Sequence, residues 1–140
     1  MRSRPHIPAA LRQLVTQRAQ GYCEYCRIHH EDTPLNHTLD HIIALKHGGK
    51  TDESNLALAC LECNLNKGSD LTTFDPLSGD IVPLYHPRQQ IWSDHFVVES
   101  AYLVGKTAHG RATIRLLQLN APERIQQRQL LIAIGRYHTP

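Results

Sequence analysis

The chain has 140 residues and a formal net charge of +2 at pH 7, with 41% hydrophobic and 20% charged residues. This length and composition predict a globular protein with one modest core, a single domain over residues 1–140. The sequence lacks an apolar run of the roughly 18 residues that a transmembrane helix needs, and residues 1–15 show no secretory signal. We therefore expect a cytoplasmic protein without a membrane partner.

The first predicted element is a helix over residues 8–20, where apolar residues recur with the helical period and Gly21 follows as a stop. Residues 22–36 are polar and predict a loop. The stretch TLDHIIAL, residues 38–45, then predicts a short strand, and KHGGKTD, residues 46–52, predicts a turn. Helix and strand are thus mixed in this part of the chain.

The rest of the chain shows the same mixture. SNLALACLECNLNK, residues 54–67, predicts a helix or a turn that enters a helix. The second halves of residues 87–100 and 101–107 predict strands. Residues 120–137 predict a terminal helix, with Asn120 as its N-cap.

The charge is distributed unevenly along the chain. Residues 1–80 contain 8 Lys and Arg against 10 Asp and Glu, whereas residues 81–140 contain 7 against 3. A basic segment beside an acidic one is compatible with a polyanion bound by the first and a metal ion bound by the second. An ordinary solvated surface explains the charge asymmetry as well, and charge alone favours that interpretation.

All four cysteines lie in two Cys-x-x-Cys pairs, Cys23 with Cys26 and Cys60 with Cys63. The two-residue gap lets both thiolates of a pair bind one ion, and two pairs supply the four sulfur ligands of a structural Zn²⁺. The other interpretations are thioredoxin-like redox chemistry, which uses one such motif beside a βαβ unit, and disulfides, which the cytosol disfavours. A four-cysteine site has no open position, so this zinc would hold the fold together and take no part in chemistry.

The segment between the cysteine pairs contains an Asp-His pair, a Gly-Gly turn and two asparagines at fixed intervals. With the cysteines, the run YCEYC…LDHIIALKHGGKTDESNLALACLECNLNKG over residues 22–68 resembles the HNH nuclease family, in its cysteine-bearing subgroup. The resemblance implies an α+β fold with a small ββα-metal (His-Me finger) core and zinc knuckles built from the four cysteines. The N-terminal helix and a C-terminal extension of strands and helix, residues 81–140, would flank it; a bacterial branch of the family has a similar extension.

The resemblance also implies roles for four residues. His41 takes the position of the general base, and Asp40 that of a ligand to a divalent cation. Asn64 takes the last position of the motif, where its carbonyl oxygen would suit Mg²⁺ or Mn²⁺. Asn55 takes the central position, which in the family ties the loop together and orients the catalytic histidine.

The function implied is metal-dependent endonucleolytic cleavage of DNA phosphodiester bonds, although these residues do not distinguish DNA from RNA. Three basic residues could contact backbone phosphates, or could be surface or ion-paired residues: Lys67, Arg88 and Arg111. Cutting both strands would require two sites and hence a homodimer. The alternative function is a non-catalytic zinc-stabilised module that binds nucleic acid or protein. Trp92, the single tryptophan, is expected in the core.

Overall fold

The computed structural model describes residues 6–140, so residues 1–5 of the predicted domain lie outside the described residues. Between residues 6 and 140, no helix is long and apolar enough to cross a membrane. Short helices alternate with three two-stranded antiparallel sheets, which confirms the predicted α+β fold class. In chain order the elements are α1 (Ala9–Arg18), β1 (Thr38–His41), β2 (Leu56–Ala59), α2 (Leu61–Lys67), β3 (Thr72–Phe74), β4 (Ile81–Pro83), α3 (Trp92–His95), β5 (Phe96–Glu99), β6 (Tyr102–Gly105), α4 (Ala108–Leu116) and α5 (Pro122–Ala133).

Strand β2 pairs with β1 and is buried along its whole length. Its two leucines pack with Val15 of α1, and its two alanines pack with the cysteine pairs. The prediction of a helix or turn over residues 54–67 is therefore wrong for the part that forms β2. A strand covered on both faces is apolar throughout and lacks the alternation that marks a half-buried strand.

Helix α2 begins at the second cysteine pair. Cys60 is its N-cap, since Sγ of Cys60 accepts a hydrogen bond from the backbone N–H of Cys63 at 3.4 Å. The chain leaves the helix at Gly68, whose φ of 52° suits glycine. The helical part of the prediction is correct, and β1, β2 and α2 together form the ββα unit that the resemblance implies.

The strand predicted over residues 38–45 is shorter than expected. It ends at His41, after which the chain enters a loop that returns to β2 through the predicted turn. Gly49 is required there, because a Cβ atom at this position would lie 1.7 Å from the carbonyl oxygen of Ile43. The turn that follows the four-residue strand thus depends on a glycine at this position.

The extension contains the two predicted strands as β5 and β6, and the predicted terminal helix as α5. The sequence reasoning missed α3, α4 and the β3–β4 hairpin. Asn120 is not the N-cap of α5: its side chain bonds both the N–H and the carbonyl of Leu103, at 2.9 and 2.8 Å. An amide side chain can satisfy one strand residue in this way, and it then cannot cap the helix.

Trp92 lies in the core, as predicted, and connects the extension to the first cysteine pair. Its indole N–H donates to the carbonyl of Tyr25 at 2.9 Å, and its ring packs on Phe96 with centroids 5.0 Å apart. Both aromatic residues are buried together with the cysteines. Burial of one large apolar side chain contributes about 1.5–3 kcal/mol, so this shared core stabilises both parts of the chain.

Asp75, whose side chain is fully buried, joins the turn between β3 and β4 to helix α4. Its carboxylate accepts hydrogen bonds from the Arg111 guanidinium at 2.9 and 2.8 Å, and from the backbone N–H of Leu77 at 3.1 Å. These donors hold the pKa of the Asp75 carboxyl well below its usual value of 3.8. The pair therefore contributes its stability above the usual carboxyl pKa, and that contribution is lost as the pH falls towards the lower folded-state pKa.

We expect Asp75→Asn to lower the thermal unfolding midpoint at pH 7, because Arg111 loses its anionic partner. The variant should also lose less stability than wild type between about pH 5 and about pH 2, since it lacks the titrating carboxyl. Melts followed by circular dichroism measure both effects. Asp80→Asn, at an exposed position in the same turn, is the control. A wild-type pH slope in Asp75→Asn would contradict the prediction.

Candidate metal centre and active site

The four cysteines converge although Cys26 and Cys60 lie 34 positions apart in the chain. Their sulfur atoms all lie within 4.8 Å of one another, and Sγ of Cys26 is 3.7 Å from Sγ of Cys60. Sulfurs bound at about 2.3 Å to one tetrahedral zinc ion would lie about 3.8 Å apart. The sulfur cluster (Sγ of Cys23, Cys26, Cys60 and Cys63) therefore has the size and the donors of a zinc site.

The backbone around each cysteine pair aims the sulfurs at a common point. In each pair the N–H of the second cysteine faces the sulfur of the first, at 3.5 Å for Cys26 and 3.4 Å for Cys63. All four cysteines are buried and free of disulfide bonds. Burial raises the pKa of the Cys23 and Cys63 thiols. Four thiolates can be held here only with a compensating positive charge, and a divalent metal ion supplies one.

A second group of side chains lines a cleft of about 470 Å³ at the end of β1. Asp40 and His41 are the last two residues of that strand, and Asn64 faces the same cleft from α2. Side chains of neighbouring residues diverge on a regular strand. Here both residues line one cleft, at the point where the strand ends. The structure thus brings the three residues that the sequence assigns to one site to the same cleft, with the Asn64 amide in contact with Asp40.

The Asp40 carboxylate is buried and has three polar neighbours. The Tyr25 hydroxyl donates to Oδ2 at 2.6 Å, and the Lys67 ammonium lies 3.2 Å from Oδ2 and 3.3 Å from Oδ1. The Asn64 amide donates to Oδ1 at 3.3 Å. Burial raises the pKa of Asp40, and the Lys67 charge and the Tyr25 hydroxyl oppose that shift. Lys67, only 2% exposed, is thus the counter-ion of this buried carboxylate.

Asp40 and Asn64 offer the oxygen ligands that Mg²⁺ and Mn²⁺ prefer. The Asn64 amide presents its nitrogen to Asp40, and a half-turn about its last bond would present its oxygen instead. Lys67 competes with a cation, because its ammonium contacts both carboxylate oxygens of Asp40. The donor chemistry therefore fits a hard cation that shares Asp40 with Lys67.

His41 is half-buried, and its ring is held by a residue of the loop between β1 and β2. Its Nε2 lies 2.9 Å from the hydroxyl of Thr51, and its backbone carbonyl accepts a hydrogen bond from Lys67 at 3.2 Å. With Nε2 engaged by Thr51, Nδ1 is the ring nitrogen that remains for proton exchange. An imidazole fixed in one orientation is what general-base chemistry requires.

Asn55 closes the loop between β1 and β2. Its side-chain oxygen accepts from the N–H of Ile43 at 2.8 Å, and its side-chain nitrogen donates to the carbonyls of Ile43 and Lys50, each at 2.9 Å. All three hydrogen bonds join the Asn55 side chain to backbone groups of the loop, and none joins it to the imidazole of His41. Any effect of Asn55 on His41 therefore passes through the loop that carries Thr51.

The three basic residues considered as phosphate contacts are engaged within the protein. The pairs are Lys67 with Asp40, Arg88 with Glu24, and Arg111 with Asp75. Arg88 and Arg111 remain 16% and 29% exposed. Their carboxylate partners offset the charge that would attract a phosphate. Ion pairing, which the sequence left open, is what the structure shows at both arginines, and phosphate binding by either stays a prediction.

The sequence reasoning missed four residues of these sites: Arg12, Tyr25, Thr51 and Arg124. Arg12 is exposed on α1 and lines the cleft, and Arg124 of α5 donates to Sγ of Cys63 at 3.1 Å. Tyr25 and Arg124 contact partners that lie far away in the chain, and Thr51 contacts His41 from the loop between β1 and β2. One signal was available: Arg124 precedes Leu131 by seven residues, which places it on the apolar stripe of the terminal helix.

Comparison with known proteins gives a match to the part of the chain that contains both sites. The family model described as HNH endonuclease matches residues 23–70, which confirms the resemblance drawn from the sequence. The matched range contains the sulfur cluster and the three side chains at the end of β1 and in α2. Comparisons with curated proteins and with solved structures gave no match.

We expect the wild-type protein to contain about one zinc ion per chain and Cys60→Ser to lose it. The variant should unfold or melt at a much lower temperature, because the free energy of ligation is folding free energy in domains of this kind. Metal analysis by mass spectrometry and circular-dichroism melts measure both. Wild type treated with a chelator is the control and should show the same loss. A zinc-free wild type, or a Cys60→Ser protein with the wild-type melting curve, would show that the zinc interpretation is wrong.

Proposed function

Since residues 23–70 of the chain match the family model described as HNH endonuclease, we propose that the protein is a metal-dependent endonuclease that hydrolyses DNA phosphodiester bonds. The observation that carries this proposal is that Asp40, His41 and Asn64 line one cleft. A structural Zn²⁺ at the sulfur cluster would hold the two cysteine pairs together, and Mg²⁺ or Mn²⁺ would bind in the cleft. A non-catalytic scaffold would have no need of these three side chains in one place.

Hydrolysis of a phosphodiester needs a group that takes a proton from water. His41 is that group: Thr51 holds Nε2, so Nδ1 would accept the proton of the water that attacks phosphorus. A neutral imidazole can do this near neutral pH. Thr51 acts as a positioning residue, and Asn55 positions the loop that presents it.

Asp40 and Asn64 would hold the divalent cation through a carboxylate and an amide oxygen. The cation, when bound, would offset negative charge on the phosphate and on the leaving oxygen. Tyr25 and Lys67 fix the Asp40 carboxylate in place from the protein side. The carboxylate is therefore oriented before a cation or a substrate arrives.

Arg12 is the side chain we propose as a phosphate contact. It is exposed, it lines the same cleft as His41, and no salt bridge engages it in the part of the chain that the structure describes. Contacts to the phosphate backbone position a nucleic acid but carry no base information. We therefore expect weak sequence preference, and one chain with one cleft would cut one strand.

One observation favours the alternative function, a zinc-stabilised binding module without catalysis. The Lys67 ammonium already contacts both oxygens of the Asp40 carboxylate, where a catalytic cation would bind. If Lys67 keeps that place permanently, the cleft would bind phosphate without hydrolysing it. The module would then bind DNA without any dependence on Mg²⁺ or Mn²⁺.

We expect His41→Ala to lower the rate of nicking of supercoiled DNA by about 10²- to 10⁴-fold, the usual effect of losing a general base. The defect should persist at every Mg²⁺ or Mn²⁺ concentration, because the proposed cation ligands are intact. Gel assays of plasmid nicking measure the rate, and circular dichroism checks the fold.

Asp40→Ala is the contrasting variant in the same assay. Its defect should shrink as Mn²⁺ is raised, since it weakens binding of the cation and keeps the base. Cleavage at the wild-type rate by folded His41→Ala would contradict the mechanism. A wild-type protein that binds DNA but does not cleave it in the presence of any divalent ion would establish the alternative function.

We expect Arg12→Gln to weaken DNA binding. The slope of log Kd against log salt concentration should fall by about one, because one phosphate contact is lost. In the nicking assay it should raise KM with little change in kcat, because it removes binding that substrate and transition state share. Arg115→Gln, which removes another exposed arginine from α4, is the matched control. Equal effects of the two substitutions would show that Arg12 acts only through net charge.

A further inference from the structure

Arg124 is a buried cation that the proposed reaction does not use. It lies on α5, is 5% exposed, and packs against the sulfur cluster. Its Nη2 donates to Sγ of Cys63 at 3.1 Å and lies 3.7 Å from Sγ of Cys60. Its Nη1 donates to the carbonyl of Leu117 at 2.9 Å, which holds the guanidinium in place.

A buried guanidinium needs anionic partners, because an isolated charge in the protein interior is strongly unfavourable. The carboxylate nearest to Arg124 is that of Glu62, at 3.5 Å, and that side chain is 56% exposed. An ion pair so open to water contributes little. The sulfurs of Cys60 and Cys63, by contrast, are buried beside the guanidinium. They are the partners that can compensate its burial.

The charges at the sulfur cluster also call for a cation from the protein. Four thiolates around one divalent ion carry a net charge of about −2, and this charge would lie in a buried site. One guanidinium offsets half of it and gives a charge-assisted hydrogen bond to a thiolate. Groups that hydrogen-bond metal ligands in this way typically change metal affinity by about 10- to 100-fold.

We propose that Arg124 is an outer-shell residue of the zinc site, which retains the metal by donating to the sulfurs of Cys63 and Cys60. This inference rests on the structural zinc proposed above. It gives the C-terminal extension a specific role: helix α5 supplies a cation to a metal centre whose ligands all come from residues 23–63. The metal site is then complete only when the extension is docked.

Arg124→Met tests the proposal, because methionine fills the space without charge or N–H donors. In the full-length protein, below its unfolding midpoint, competition with 4-(2-pyridylazo)resorcinol should show zinc bound about 10- to 100-fold more weakly than in wild type, and zinc should transfer to the dye faster. With Co²⁺ in place of zinc, the sulfur-to-metal charge-transfer band should move to longer wavelength, since the freed thiolates donate electrons more easily.

Arg128→Met is the matched control. Arg128 lies one helical turn further along α5, is equally buried at 4%, and donates to the carbonyls of Ala101 and Leu119 at 2.8 and 2.6 Å. Its substitution should destabilise the protein and leave the zinc-transfer rate and the cobalt band as in wild type. The pair of variants thus separates contact with the sulfurs from packing of the helix.

Arg124→Lys covers the case in which the methionine variant does not fold. It keeps the charge but not the forked donors, so zinc transfer should be faster than wild type by a smaller factor. Wild-type transfer rates and cobalt spectra in folded Arg124 variants would overturn the proposal, as would equal acceleration in Arg128→Met. A wild-type protein without bound zinc would overturn the structural-zinc proposal as well, so the two failures are distinguishable.

Discussion

The convergence of four cysteine sulfurs on one point is the constraint from which the rest of the structure follows. It fixes the turn around Cys23 against the start of α2, and Cys60 is both a member of the sulfur cluster and the N-cap of that helix. Asn64 follows Cys63 directly, and β2 leads directly into Cys60. The positions of the sulfurs thereby determine where α2, which carries Asn64, lies relative to Asp40.

The extension is joined to this centre through buried polar contacts as well as apolar packing. The indole of Trp92 bonds the backbone of Tyr25, whose hydroxyl in turn bonds Asp40. Basic residues of the extension are used in the same way, in ion pairs or in hydrogen bonds to buried groups: Arg88, Arg111, Arg124, Arg128 and Arg136. Most of the positive charge in residues 81–140 therefore stabilises the fold and does not form an open basic surface.

What could be predicted from the sequence was the placement of residues that depends on residue type and short spacing, whereas the chemistry assigned to Asp40 and His41 stays a prediction. The cysteine pairs and the Asp40–His41 dipeptide are of this kind, since neighbours in the chain are neighbours in space. Strand β2 was missed because burial on both faces removes the polar alternation by which strands are recognised. Thr51 and Tyr25 could not be found, because their contacts with His41 and Asp40 depend on the path of the loop and the docking of separate segments.

The two proposed metal sites differ in how they depend on folding, because Lys67 balances the charge at one of them. At the sulfur cluster, the single charge of Arg124 would not balance four thiolates, so the proposed zinc ion would be needed for all four to be held as thiolates in the core. At Asp40, the ammonium of Lys67 already balances the carboxylate. The cleft could therefore gain and lose the proposed cation while the protein stays folded. Its occupancy would follow the free concentration of the ion in solution, whereas the occupancy of the sulfur cluster would be coupled to the folding of the chain.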